Sequence, residues 1–275
     1  MTEPGPLPKP VPLAEAGDEG LYGGKSASLS RAIRAGLPVP PGYALSVGAV
    51  EAVVQATEEV IVALEEVLAL LGGPVAVRSS AVGEDAQDTS FAGQHTTLLN
   101  VTTYNSLVDA IGEVYQSAHS ASALAYRERM GIAGEPKIGV TVQRMVEADT
   151  AGVLFTHNPV TGADERLIEA AWGLGEVVVS GLVVPDSFRI RKDGHIIERI
   201  PGEKDLELRP TAEGGIEEIR VEPQRIQALA LDDAQLVELH QLTLRCEAEY
   251  GPRLDIEWAF ADGRLYLLQC RGITR

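Results

Sequence analysis

A block of consecutive strands placed after a block of helices constrains this chain more than any other feature. Strand-like runs follow one another at Ile138–Val142, Gly152–Phe155, Leu167–Ala170, Ser187–Arg191 and His195–Ile200. Before them, Val, Ile, Ala and Leu recur at helical spacing from Gly48 to Leu71, with Glu51, Glu58, Glu59, Glu65 and Glu66 between them. That pattern predicts one long amphipathic helix. A second helical stretch covers Asn105–Met130, and a third, Asp232–Tyr250, precedes a hairpin of Leu254–Phe260 and Leu265–Arg271. Segregated helices and antiparallel-looking strands point to an α+β fold and not to a doubly wound sheet.

The 275 residues can bury a real core in one large domain or two lobes. Proline at every even position from Pro4 to Pro12 predicts an extended, polyproline-like tail over residues 1–20. The first residues have neither a basic start nor an apolar run, so no signal peptide is expected. No apolar stretch reaches the length of a membrane span. Two cysteines, Cys246 and Cys270, cannot form a disulfide framework, which suits a reducing cytoplasm. A formal net charge of −17 speaks against nucleic acid or an anionic membrane as partner. It leaves room for a nucleotide, whose site needs only a few local cations.

Gly23-Gly24-Lys25-Ser26 looks like the end of a P-loop, but a P-loop needs glycine at position 19, where Glu19 stands. What survives is a glycine pair before the helix Ser26–Ala35, with Glu19–Gly24 as a loop and a lysine suited to phosphate beside it. A helix start with a solvated lysine would look the same. A short strand, Pro74–Arg78, runs into the loop SSAVGEDAQDTSFAGQH. Arg78 ends that strand where a guanidinium can pair with phosphate, or with Glu84 or Asp85. The small and hydroxyl residues around Gly93 and Thr97 could fold over a triphosphate with backbone donors.

In the C-terminal hairpin, alternation puts Asp255 with Glu257 on one face of a strand and Gln269 with Arg271 on one face of its neighbour. Whether the two pairs share a face depends on the connection. A two-residue Asp262-Gly263 turn pairs Glu257 with Leu268 and sends Gln269 to the other side. A three-residue loop, Ala261–Gly263, brings all four together, giving carboxylate and amide oxygens for a hard cation beside an arginine. None of the five histidines, His95, His119, His157, His195 and His240, lies in a small-residue loop that would present a nucleophilic imidazole.

Taken together, these segments resemble the N-terminal nucleotide-binding domain of phosphoenolpyruvate synthase, pyruvate phosphate dikinase and rifampin phosphotransferase. The matching stretches are GGKSASLSRAIRAGLPVPPGYALS, VAVRSSAVGEDAQDTSFAGQHTTLLNV, VTVQRMVEADTAGVLFTHNPVTG, IEAAWGLGEVVVSGLVVPDSF and LDIEWAFADGRLYLLQCRGITR, in the family order. The resemblance implies an ATP-grasp fold over residues 21–275, with lobes of about 21–150 and 151–275 and the nucleotide site between them. It implies that Lys25, Arg78 and Arg271 are the phosphate-binding cations and that Gly93 and Thr97 contact the triphosphate. Gln143 would lie at the adenine side. Glu257 and Gln269 would hold Mg²⁺ and nucleotide.

In that family a phosphoryl group, originally the β-phosphate of ATP, passes to a histidine on a middle domain, with AMP and inorganic phosphate as the other products. Neither a histidine domain nor a substrate domain is among these 275 residues. The resemblance therefore implies a cytoplasmic, stand-alone ATP-binding phosphotransferase serving a separate phosphohistidine carrier. A non-catalytic ATP-sensing or assembly module is the other expectation. An acyl-phosphate-forming ligase has no carboxylate-binding signature to support it. Positions 26–77, between Lys25 and Arg78, are short for the family, as if a lid were trimmed.

Overall fold

The computed structural model describes residues 9–83 and 96–273. The chain divides into two compact units, one of residues 1–31, 41–145 and 212–215, the other of 32–40, 146–211 and 216–275. In the first, β1 (Val11–Pro12), a 3₁₀ turn (Leu13–Glu15), α1 (Glu19–Arg34), β2 (Gly42–Leu45), α2 (Val47–Val54) and α3 (Glu58–Leu71) precede β3 (Val75–Ala81). Then come β4 (Thr97–Val101), α4 (Tyr104–Ala118), α5 (Ala121–Arg129) and β5 (Ile138–Arg144). The strands form one antiparallel sheet of order β1-β2-β5-β3-β4.

Alternation sorts that sheet into two faces. Val75, Val77, Val140 and Val142 enter a core completed by Val50, Val53, Leu64, Leu107 and Ile111 of the helices. Burial of such side chains stabilises by roughly 1.5–3 kcal/mol each. The opposite face carries Ala76, Arg78 and Ser80 in register with Gln143, Thr141 and Gly139.

Three sequence expectations are corrected here. The predicted tail does pack: Val11–Pro12 pair with Tyr43–Ala44, and Leu13 and Ala16 are buried. The single helix over 48–71 is two helices, because Ala56 takes φ 56° and Thr57 starts a new one ahead of Glu58 and Glu59. The helix over 105–130 likewise breaks at His119, and the Ser120 hydroxyl accepts from Ala123 N to cap α5. The missed signals are Thr57 and Ser120, N-cap residues with no Gly or Pro beside them to end the preceding helix.

The supposed loop 19–24 is also helical, interrupted at Gly23 (φ 80°, ψ 167°), a conformation open essentially to glycine alone. A Cβ there would stand 1.9 Å from the Ser80 carbonyl oxygen, and one on Gly139 would stand 2.4 Å from that of Tyr22. Two glycines thus let α1 lie against β3 and β5.

The second unit holds β6 (Thr150–Phe155), β7 (Glu165–Trp172), α6 (Glu176–Val179), β8 (Asp186–Arg191), β9 (Ile196–Ile200) and a small hairpin of β10 (Leu206–Pro210) and β11 (Ile216–Arg220). After α7 (Pro223–Ile226) and α8 (Asp233–Tyr250) come β12 (Leu254–Ala261) and β13 (Arg264–Gly272). The main sheet is antiparallel, in the order β13-β12-β6-β7-β8-β9, and α8 is capped by Asp232. The β10–β11 hairpin was invisible to pattern reading, since all of Ile216–Arg220 is exposed.

Buried charges in this unit are paired. Lys204 and Asp186, both fully buried, form a salt bridge, and Asp186 also accepts from Gly202 N and Ala230 N. Arg166 donates to His240 Nδ1 at 2.6 Å and to Glu247 at 2.9 Å. Since arginine is only a donor, His240 Nδ1 must be its acceptor and carry no proton. Burial, with Arg166 adding to it, lowers the His240 pKa.

Two outcomes follow. Gly23→Ala lowers the unfolding free energy by more than about 2 kcal/mol, read by denaturant titration. His240 resists protonation when folded, so the unfolded chain binds more protons below the ordinary histidine value near 6.5. Stability therefore falls as pH drops from 7 to 5.5, by up to about 1.4 kcal/mol per pH unit. In His240→Asn that slope flattens.

Candidate functional site

The polar face of the first sheet gathers four of the expected residues. Arg78 lies opposite Thr97 on one side and Thr141 on the other, and Gln143 is two residues along β5 on the same face. Arg78 and Gln143 are almost wholly buried, as is Lys25, whose Nζ donates to Ser79 O at 3.0 Å. Ser26 adds two bonds, its N donating to Ser80 Oγ (3.0 Å) and its hydroxyl meeting Thr141 Oγ1 (2.8 Å). Buried cations on a polar face are what an anionic ligand requires. Ser26 and Ser80 stood in the candidate segments but were given no role of their own, and Thr141 escaped the sequence reading because an isolated hydroxyl has no pattern. Gly93, and the possible partners Glu84 and Asp85 of Arg78, lie outside the described residues.

In the second unit the hairpin resolves the open question of its connection. The turn is the two-residue one: Ala261 pairs with Arg264, and Asp262 and Gly263 both take positive φ (49° and 68°), as a type I′ turn demands. By itself that turn would separate Glu257 from Gln269. It does not, because the register shifts between Trp258, paired with Leu267, and Glu257, paired with Gln269. Leu268 is the extra residue of a β-bulge. Beyond it Ile256 faces Cys270 in the core, while Asp255 opposes Arg271 and Glu257 opposes Gln269 on the other face.

The four polar groups are unequal. Arg271 donates from Nε and Nη2 to Asp255 Oδ2 at 2.9 and 2.7 Å. Burial raises the Asp255 pKa, Arg271 opposes the shift, and the Glu257 charge adds to it. The second oxygen, Oδ1, is buried with no hydrogen-bond partner. An orphaned carboxylate oxygen beside a second carboxylate and an amide oxygen fits a hard cation. Among the described residues no group of three or more His, Cys, Asp or Glu is arranged to hold a metal. A cation here would need further oxygens from its ligand and from water.

The described histidines have structural surroundings. His119 stacks on Tyr115 at 4.1 Å and shares a hydrogen bond with the Tyr115 carbonyl, His157 lies 3.8 Å from Asp164, and His240 is held by Arg166. His195 follows the turn at Gly194, and His95 is outside the described residues. No helix among the described residues is long and apolar enough to cross a membrane.

Residues 52–275 match the family described as pyruvate phosphate dikinase, AMP/ATP-binding domain. The chain belongs to that family, and its α+β architecture is the one expected of the ATP-grasp class. It is 34% identical over 278 residues to the uncharacterized phosphotransferase YvkC of Bacillus subtilis, covering 92% of this chain and 33% of that protein. It is 32% identical to a probable phosphoenolpyruvate synthase of Methanothermobacter thermautotrophicus (94% and 44% covered). Against rifampicin phosphotransferase of Streptomyces sviceus the identity is 41% (72% and 23% covered). The chain thus spans less than half the length of these relatives. A D-alanine–D-alanine ligase from Bacillus anthracis is partly similar in structure, with TM-score 0.43, 10% identity and 90% of this chain and 55% of that one covered.

Asp255 exacts a desolvation penalty that Arg271 offsets only in part. Asp255→Asn should leave the melting temperature unchanged or raise it, while releasing Arg271 from its paired position. A drop of several degrees would contradict that balance.

Proposed function

We propose that this chain binds Mg-ATP and transfers the β-phosphoryl group to a histidine of a separate carrier, with one water molecule taking the γ-phosphoryl group, so that AMP and inorganic phosphate are released. The observation that carries the proposal is the bulged hairpin, which sets Glu257, Gln269, Asp255 and Arg271 on one face with a carboxylate oxygen left unpartnered. Family membership and relatives named as phosphotransferases support the same chemistry.

Each residue has a role that its chemistry suits. Lys25, Arg78 and Arg271 neutralise phosphate charge that grows on the leaving oxygen as the bond to phosphorus breaks. Gly93 and Thr97 contact the triphosphate, and Gln143 reads the adenine side. Glu257 and Gln269, with Asp255 beside them, would hold Mg²⁺. That ion supplies charge neutralisation and alignment of the phosphates. Asp255 keeps the Arg271 guanidinium in place through two bonds that converge on one oxygen, Oδ2. Beyond these roles the residues position the reacting groups and exclude water.

Among the described histidines, His119 and His240 are committed to internal bonds, which argues against either as the acceptor. We further propose that this chain works in the cytoplasm.

Incubating the protein with Mg-ATP, with and without candidate histidine-bearing proteins, and following AMP tests the proposal. AMP should appear only with the matching carrier. Glu257→Ala should lower its rate by at least about 100-fold while leaving the melting curve in place. Asp255→Asn should weaken Mg-ATP binding about tenfold through misplacement of Arg271. Tight ATP binding without AMP under any pairing would instead support a non-catalytic ATP-binding module.

A further inference from the structure

Strand β7 carries two glutamates on the face that bears Glu257, and they differ sharply. Glu165 is fully engaged: Arg189 donates to both of its oxygens at 3.0 Å, and Asn158 donates at 2.8 Å. Its pKa is lowered, first by the Arg189 hydrogen bond. The side chain of Glu169, two positions beyond Leu167, has no hydrogen bond or ion pair among the described residues, and its pKa is raised by burial alone. A half-buried carboxylate without a protein partner carries a desolvation cost that hydrogen-bond donors from a ligand would offset.

Register identifies where that ligand would lie. Gln269 pairs with Glu257, Glu257 with Val153, Val153 with Glu169, and Glu169 with Ser187, so these side chains form one row across the sheet. Glu169 is two strand spacings from Glu257, about 10 Å between Cα atoms. A molecule engaging both ends of the row must be extended, with a phosphate-and-cation end at Glu257 and Gln269. The end at Glu169 must donate hydrogen bonds, since a carboxylate flanked by Val153 and Leu167 offers only acceptors and would repel a further anion. A vicinal diol donates two hydrogen bonds to one carboxylate, the same chemistry by which an acidic residue reads ribose in dinucleotide folds.

We propose that Glu169 accepts hydrogen bonds from the ribose hydroxyls of the bound nucleotide and sets the preference for ribose over deoxyribose. This rests on the ATP reading above. Isothermal titration of the wild type, Glu169→Gln and Glu169→Ala with Mg-ATP, Mg-2′-deoxy-ATP and Mg-3′-deoxy-ATP tests it. The wild type should bind ATP about tenfold more tightly than either deoxynucleotide. In Glu169→Ala that ratio should collapse to near one, with the deoxynucleotide affinities little changed. Glu169→Gln, which keeps the shape and one acceptor oxygen, should retain part of the preference.

Equal discrimination in the wild type and Glu169→Ala would overturn the proposal and leave the ATP reading standing. So would a uniform loss of affinity for all three nucleotides, which marks a structural or cation-related role. A folded wild type that binds none of them would sink the ATP reading itself, and the role of Glu169 with it.

Discussion

One inserted residue, Leu268, decides what the C-terminal hairpin presents to a ligand. From the Asp262-Gly263 turn to Trp258 and Leu267 the two strands run in the register that a two-residue connection imposes. Continued unchanged, that register would pair Ile256 with Gln269 and drive a polar amide into the core. The bulge restores agreement between pairing and burial: Ile256 and Cys270 turn inward, and the four polar groups turn outward together. The free energy of burying Ile256, Trp258, Leu267 and Cys270 thus holds Glu257 and Gln269 side by side. Core and candidate site are two consequences of one register.

The first unit reaches a comparable end through close approach. Gly23 and Gly139 remove the two Cβ atoms that would keep α1 away from the sheet. The contact lets the Ser26 N–H and hydroxyl find Ser80 and Thr141, and sets Lys25 against the end of β3. The apolar side of the same sheet is an ordinary aliphatic core. Its polar side therefore carries the buried cations without weakening the packing that stabilises the unit.

Charge is handled in contrasting ways within the second unit. Asp186 is saturated by Lys204 and two backbone amides, and Arg166 by His240 and Glu247, so these groups tie segments together and have no capacity left for a ligand. Asp255 and Glu169 differ in the same physical terms, each retaining unused acceptor capacity at a desolvation cost. That unspent capacity, more than net charge or acidic composition, marks the face where a ligand belongs.

Much of this was legible in the chain itself. Alternation at Asp255–Trp258 and Leu267–Arg271 showed one buried and one polar face on each strand, and the block order of helices and strands showed the α+β class. Both are local properties, written in side-chain periodicity. The breaks at Ala56 and His119 were not legible, because Thr57 and Ser120 stand inside an unbroken helical pattern with no Gly or Pro to end the helix before them. Nor was the alignment of the two hairpin faces. A two-residue turn and a three-residue loop fit the same letters, and the bulge that reconciled them is selected by which side chains the rest of the sheet and α8 can bury. The same holds for Glu165 and Glu169, identical residues on one strand. Only the neighbouring strands, by bringing Arg189 to one and Val153 to the other, made the first a structural anchor and left the second open.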